Sequence, residues 1–232
     1  MPRPESDGTT KLPIYRDLRR SIILGHRQPG ERLDLNTLAD TYGTSVTPVR
    51  DALQMLSQDR LVTIRPRSGY YVTRITLKQL HDMLELREIL EVASVERATT
   101  RITDEQLADL EHVHAGYTGD DDESRDRYAS ENRRFHTLLA RASGNQELAE
   151  MLGRLHDRLV RFMVLCGTYE TMQCWHGRLI QALRSRDVEI ARKAILAELA
   201  EARKNTLEHV IEEEGAFWRL GTRSEQAPVR QS

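Results

Sequence analysis

The sequence predicts a mainly α protein in two parts: an N-terminal winged helix-turn-helix over residues 13–74 and an all-α antiparallel helical bundle over residues 77–213. Three observations carry this expectation. Two short amphipathic runs stand on either side of Gly43; two segments with alternating apolar residues flank the turn sequence RPRSG at 65–69; and strand signals stop at Thr76, after which the apolar residues recur at helical spacing.

Composition bounds the answer. The chain has 232 residues, 39% hydrophobic and 30% charged, enough for two modest cores. No apolar run approaches the roughly 18 residues that a membrane-spanning helix needs. The opening MPRPESDGTT lacks the apolar stretch of a signal peptide, so the expected address is the cytoplasm, with no membrane partner. Cys166 and Cys174 have neither metal-finger spacing nor disulfide-scaffold density and are expected to be reduced packing residues. Residues 1–75 carry 12 Lys/Arg against 8 Asp/Glu, and the remainder 22 against 28, so a polyanionic partner would meet the first third.

Residues 1–12 are expected to be flexible. Ile14, Leu18 and Ile22 recur at helical spacing behind Pro13, which suits a first turn, and predict a helix ending near Gly25. Leu35, Leu38, Ala39 and Tyr42 predict a two-turn helix, capped by Asp34 and ended by Gly43. Val49, Ala52, Leu53 and Leu56 predict the next helix, with Ser45 as its N-cap. Two such helices joined by a glycine turn make a helix-turn-helix.

At about 100° per residue, Thr47, Asp51, Gln54 and Gln58 lie opposite the apolar stripe of that third helix and Arg50 lies on its flank. This suits a recognition helix in a DNA major groove, where Arg bonds guanine bidentately and Ser/Thr reach base or phosphate. Val62 and Ile64, then Tyr70 and Val72, predict a hairpin with Arg65 and Arg67 at its tip and Gly69 in its turn. Such a wing suits phosphates or the adjacent minor groove. The competing reading is ordinary helical packing with Arg50 as a solvated surface charge.

The stretches PGERL, LADTYGTSVTPVRDALQMLSQDRLV and RSGYYV together resemble the winged helix-turn-helix of GntR-type bacterial transcription regulators. The resemblance implies DNA contacts from Asn36 and Thr37, from Ser45, Val46, Thr47 and Arg50, and from Arg67 and Gly69. Two positions depart from the family pattern. Asn36 and Val46 stand where it has arginines, which leaves more of the readout to Arg50 and allows Val46 a thymine methyl at most.

Beyond Thr76, the pairs Thr76/Gln79 and Thr103/Gln106 fit capping boxes and predict helix starts near 77 and 104. Further helices are expected near 125–143, 146–167, 171–185 and 187–213, six in all. The acidic stretch 116–124 reads as a solvated loop, since its carboxylates lack calcium-loop spacing, and 219–232 as a disordered tail.

Asn132 and His136 are four apart on one helix face. His176 and Glu198 lie ten residues before and twelve after a bend near Arg186, so antiparallel packing at about 1.5 Å per residue brings them level. Four N/O groups would then converge, a set that suits zinc, manganese or nickel with positions left open for a carboxylate. The competing reading makes each histidine a hydrogen-bonded core residue.

LELREILEVASVERA, NRRFHTLLARASGN and HGRLIQALRSRDVEIARKAILAEL resemble the FCD effector domain of the FadR subfamily. That resemblance implies a divalent metal at Asn132, His136 and His176, with Glu198 in place of the family's last histidine. It further implies a small carboxylate effector met by Arg87, which could instead only pair with Glu91, and lined by Trp175, which could instead be core or dimer interface. Regulation would follow from effector binding to a homodimer on a palindromic operator, with repression the expected sign. Two rivals stand beside this reading. One is a metal-dependent hydrolase, disfavoured because no HExxH-type helix supplies a base; the other is a DNA-binding protein whose helical dimerisation domain binds no ligand.

Overall fold

The computed structural model describes residues 7–113, 121–165 and 169–213. Its N-terminal head is built on three helices: α1 (Asp7–Ile23), α2 (Leu35–Thr41) and α3 (Val46–Gln58). Helix α1 begins upstream of Pro13, which lies inside it, so residues 7–12 belong to a helix and not to a flexible lead. Pro13 removes one N–H donor and crowds the carbonyl four residues before it, so the first turns of α1 are held by one hydrogen bond fewer.

Asp34 caps α2 as expected, accepting from the backbone N–H groups of Asn36 at 3.1 Å and Thr37 at 3.0 Å. Gly43 closes the turn with φ +60°, a left-handed conformation that glycine adopts without a Cβ penalty. Ser45 holds the extended N-cap backbone of α3, but its hydroxyl makes no capping bond.

Strands β2 (Val62–Arg65) and β3 (Gly69–Val72) form the antiparallel wing, with Val62 opposite Val72 and Arg65 opposite Gly69. A two-residue strand, β1 (Arg32–Leu33), completes the sheet in the order β1-β3-β2. Ile14, Leu18, Leu38, Val49, Leu53, Val62 and Val72 belong to one buried cluster. Ile64 lies beyond it, 46% exposed, because the wing has by then left the core.

The body comprises α4 (Leu77–Arg101), α5 (Asp104–His112), α6 (Asp122–Ala142), α7 (Gln146–Leu165), α8 (Tyr169–Arg184) and α9 (Val188–Glu213). Both capping boxes form, and they start α4 and α5. Helix α6 starts earlier than its apolar pattern indicates, because Asp121 accepts from the Ser124 N–H at 2.9 Å and caps it. Residues 122–124 of the expected acidic loop are therefore helical, and 116–120, like the tail 219–232 and Cys166, lie outside the described residues. Cys174 is exposed on α8 and not a packing residue. No helix among the described residues is long and apolar enough to cross a membrane.

Helix α4 runs through the body and packs against α6, α7, α8 and α9. The head docks on α6 and α7 through Ile23 and Leu24, which cluster with Ala129, Val160 and Val164. Around this contact Arg19 pairs with Asp157 at 2.8 Å, His26 with Asp122 at 3.0 Å and Arg20 with Asp126 at 3.8 Å. In each pair the head supplies the basic group and the body the acid.

Candidate functional site

The first candidate surface is the outer face of α3. Ser45, Thr47, Arg50, Gln54 and Gln58 are exposed there, whereas Asp51, expected on the same face, is half-buried. Val46 is also half-buried and packs against the head core, so little of it is left to touch a ligand. Asn36 and Thr37 are exposed at the start of α2. The Thr37 hydroxyl is already engaged, lying 3.2 Å from Asp34 Oδ1. On the wing, the Arg65 guanidinium sits over the Tyr71 ring, 4.6 Å from its centroid, in a cation–π contact. Arg67 occupies the turn with φ +61° and Gly69 follows at φ +115°. The head thus exposes three guanidiniums, hydroxyls and amides on α2, α3 and the wing, a donor set that suits DNA phosphates and base edges.

The second candidate lies inside the body. Arg87, Glu91, Asn132, His136, His156, His176 and Glu198 are all buried, drawn from α4, α6, α7, α8 and α9. His136 Nε2, His176 Nε2 and Glu198 Oε1 form a triangle whose three sides are each 3.3 Å. On the other side of its ring, His136 Nδ1 lies 3.0 Å from the Glu91 carboxylate, which also meets His156 Nε2 at 2.9 Å. Arg87 donates to Glu91 at 3.3 Å, and its Nη2 stands 3.4 Å from His136 Nε2. The Phe135 ring stacks on His176 at 3.9 Å and 7°, fixing that imidazole's plane. Among the described residues, Glu198 Oε2 and Asn132 Oδ1 are buried without a hydrogen-bond partner, and Glu198 Oε1 meets only the two imidazoles of the triangle.

Electrostatics explain how these charges coexist. Burial pushes the His136 pKa down, but the facing Glu91 and Glu198 outweigh it and raise it to about 9. Burial, with the nearby Arg87 and His136 charges, takes His156 down to about 4 against the opposing pull of Glu91, and burial also lowers His176. Glu91 and Glu198 are both held below the usual carboxylate range, burial opposing and the histidines outweighing it. Without a metal ion, protonated His136 and the Arg87 guanidinium together balance the two carboxylates.

A divalent ion can be tested against the donor set. Ligands at about 2.0–2.1 Å in a tetrahedral shell stand about 3.3–3.4 Å apart, which the triangle matches. Glu198 Oε2 and Asn132 Oδ1, unsatisfied among the described residues, are oxygens that a cation would satisfy. Glu91 on the far nitrogen of His136 would orient the imidazole from behind, as carboxylates do for metal-binding histidines.

His136, His176 and Glu198 thus come together, with Asn132 one turn before His136 and also buried. Arg87 lies in the same cluster and is engaged with Glu91. Trp175 does not join it: the side chain is half-buried and stacks against Arg178 at 4.8 Å. Sequence reasoning missed His156 altogether and saw Glu91 only as a partner for Arg87. The available signal was a polar residue within an apolar helical stripe, as His156 is among Leu152, Leu155 and Leu159.

A winged helix-turn-helix joined to a helical body defines the class as DNA-binding regulators. Residues 10–72 match the family described as bacterial regulatory proteins, gntR family, and residues 82–201 match the FCD domain. The chain belongs to the GntR family of transcription regulators and carries an FCD domain. It is 29% identical over 211 residues to the HTH-type transcriptional regulator YdhC of Bacillus subtilis, covering 87% of this chain and 92% of that protein. It is 32% identical over 158 residues to the HTH-type transcriptional repressor GlaR of Escherichia coli, covering 66% and 72% respectively. Escherichia coli McbR/YncC has the same fold, with a TM-score of 0.67 at 24% identity over 88% of this chain and 98% of that one. These relatives are transcription regulators and not enzymes, so the hydrolase alternative falls away.

Proposed function

We propose that this DNA-binding regulator senses a small carboxylate through its buried cluster, with a divalent ion of the zinc, manganese or nickel type held by His136, His176, Glu198 and Asn132. The observation that carries this reading is the 3.3 Å triangle of His136, His176 and Glu198 donor atoms, with the unsatisfied Asn132 Oδ1 on the same helix as His136. A bound ion would supply open coordination positions for an effector carboxylate. The protein's own groups do the rest. Glu91 and Phe135 orient the two imidazoles, and Arg87 keeps a guanidinium at the edge of the cluster, where part of its donor fork could turn to an anion.

On the DNA side, Asn36, Thr37, Ser45, Thr47 and Arg50, with marginal help from Val46, would read or position the operator, and Arg65, Arg67 and Gly69 would follow the backbone through the wing. One short recognition helix reads few base pairs, so a homodimer on a palindromic operator is the fitting assembly. The repressors among the relatives, GlaR and RspR of Escherichia coli, support repression as the sign of control.

Calorimetric titration of chelator-treated protein with Zn(II), Mn(II) and Ni(II), repeated on His176→Ala, tests the metal reading. Stoichiometric binding lost in the variant is expected; equal binding by both proteins refutes it. Operator retention with and without a panel of small carboxylates then separates a sensing body from a ligand-inert one.

A further inference from the structure

We propose that the cleft between α1 of the head and α6 and α7 of the body is a second anion site, separate from the buried cluster, for a small phosphate-bearing molecule. The cleft has a volume of about 370 Å³ and is lined by Tyr15, Arg16 and Arg19 from the head and by Ala129, Ser130, Arg133 and Asp157 from the body. That volume lies within the roughly 300–1,000 Å³ of small-molecule pockets.

Charge selects the ligand. Three guanidiniums line the cleft against a single carboxylate, Asp157. Tyr15 brings no free donor, since its hydroxyl proton is spent on Asp59 at 2.6 Å. Asp157 is shared: its Oδ1 accepts from Arg19 Nη2 at 2.8 Å and from Arg133 Nε at 2.7 Å, and its Oδ2 accepts from Arg133 Nη2 at 3.0 Å. One negative charge thus positions two arginines while cancelling only one of them. Arg16 is exposed and forms no ion pair or side-chain hydrogen bond among the described residues.

Donor geometry supports the same ligand class. Each of the two fixed guanidiniums spends only part of its five N–H groups on Asp157, and Arg16 spends none. The excess of two positive charges matches a phosphate monoester near its second ionisation, whose three terminal oxygens can serve several forks at once. A monocarboxylate offers two oxygens and one charge. The Ser130 hydroxyl, exposed at the rim, adds a neutral donor.

The placement gives such a ligand a consequence. Arg16 and Arg19 belong to the DNA-binding head and Arg133 to the body, so an oxyanion between them would tie the two parts in addition to the Arg19–Asp157 pair. Occupancy would hold the head in its docked orientation.

The test uses inorganic phosphate as probe on the chelator-treated full-length protein, at low chloride, by calorimetry and amide-shift mapping. Saturable binding of one phosphate per chain is expected, at least fivefold weaker in Arg16→Gln and retained in Arg50→Ala, with shifts at Arg16, Ser130 and Arg133. Arg16→Gln removes an exposed side chain with no ion pair or side-chain hydrogen bond among the described residues, so it should fold and bind operator as the parent does. The proposal is overturned by absence of saturable binding, or by insensitivity to Arg16→Gln, which would indicate an adventitious ion only. Loss in Arg50→Ala would overturn it too, by moving the anion to the reading face. Succinate binding as tightly as phosphate would overturn the phosphate assignment.

Discussion

His156 and Asp157 are consecutive on α7 and serve different parts of the molecule: the imidazole meets Glu91 at 2.9 Å inside the body, and the carboxylate accepts from Arg19 of the head at 2.8 Å. The same division recurs on α6, where Asn132 lies in the buried cluster and Arg133 clamps Asp157. Rotation or sliding of either helix would therefore be felt at both ends.

The first prediction follows from that bridge. Asp157→Asn should leave the fold intact, because partly exposed ion pairs contribute only about 0–1 kcal/mol each. The head should nevertheless loosen, seen as faster amide exchange along the last turns of α1. Operator affinity should respond less to metal or effector than in the parent. Unchanged α1 exchange would mean that the apolar contact of Ile23 and Leu24 holds the head by itself.

The reading face makes a second prediction. Arg50→Ala should cost about 1–3 kcal/mol of discrimination between operator and non-operator DNA, the usual value of a bidentate base contact. Arg67→Ala should instead weaken binding to all sequences and reduce the slope of log affinity against log salt by about 1. Competition binding at several salt concentrations distinguishes the two. Equal effects of both variants on specificity would contradict this division of roles.

Metal removal is the third. If ion is present at about 100 times its dissociation constant, binding stabilises the folded state by about 2.7 kcal/mol. For a chain of this size that corresponds to a midpoint shift of about 5–10 °C. Calorimetric melting before and after chelation should show the shift in the parent and none in His176→Ala. A parent midpoint indifferent to chelator and to added metal would defeat the assignment.

The cap of α2 gives a prediction about pH. Bonds from Thr37 and from the Asn36 N–H hold the Asp34 pKa below its ordinary value of 3.8. The folded state therefore favours the ionised cap, whose contribution is complete above the unfolded value and lost as pH falls through the folded one. Below about pH 4, Thr37 and Asn36 amides should lose protection before the core of the head does. In Asp34→Ala that acid transition should be absent, and both amides should exchange fast at neutral pH. Persistence of the transition in Asp34→Ala would assign it to another carboxylate.

Local chemistry made much of this fold legible. The Thr76/Gln79 and Thr103/Gln106 boxes place the starts of α4 and α5 because each depends on bonds spanning only three residues. The Asp121 cap was hidden among neighbouring acids, and β1 is too short to leave an alternating pattern. Within the buried cluster, equal helical rise on either side of a bend was enough to bring His176 level with Glu198. His156 and Glu91 are 65 residues apart and meet only because α7 packs on α4, a long-range contact that no spacing along one helix reveals.

Helix α1 behaves as a lever. Ile14, Leu18 and Ile22 along its length are built into the head, while its last residue, Ile23, and the following Leu24 rest on the body. Seventeen helical residues span about 25 Å at 1.5 Å each. A tilt of only about 5° about the seated end would carry the far end through about 2 Å. Paired reading heads must match half-sites about 34–36 Å apart, so a displacement of that size on each side is enough to put two recognition helices out of step with their grooves.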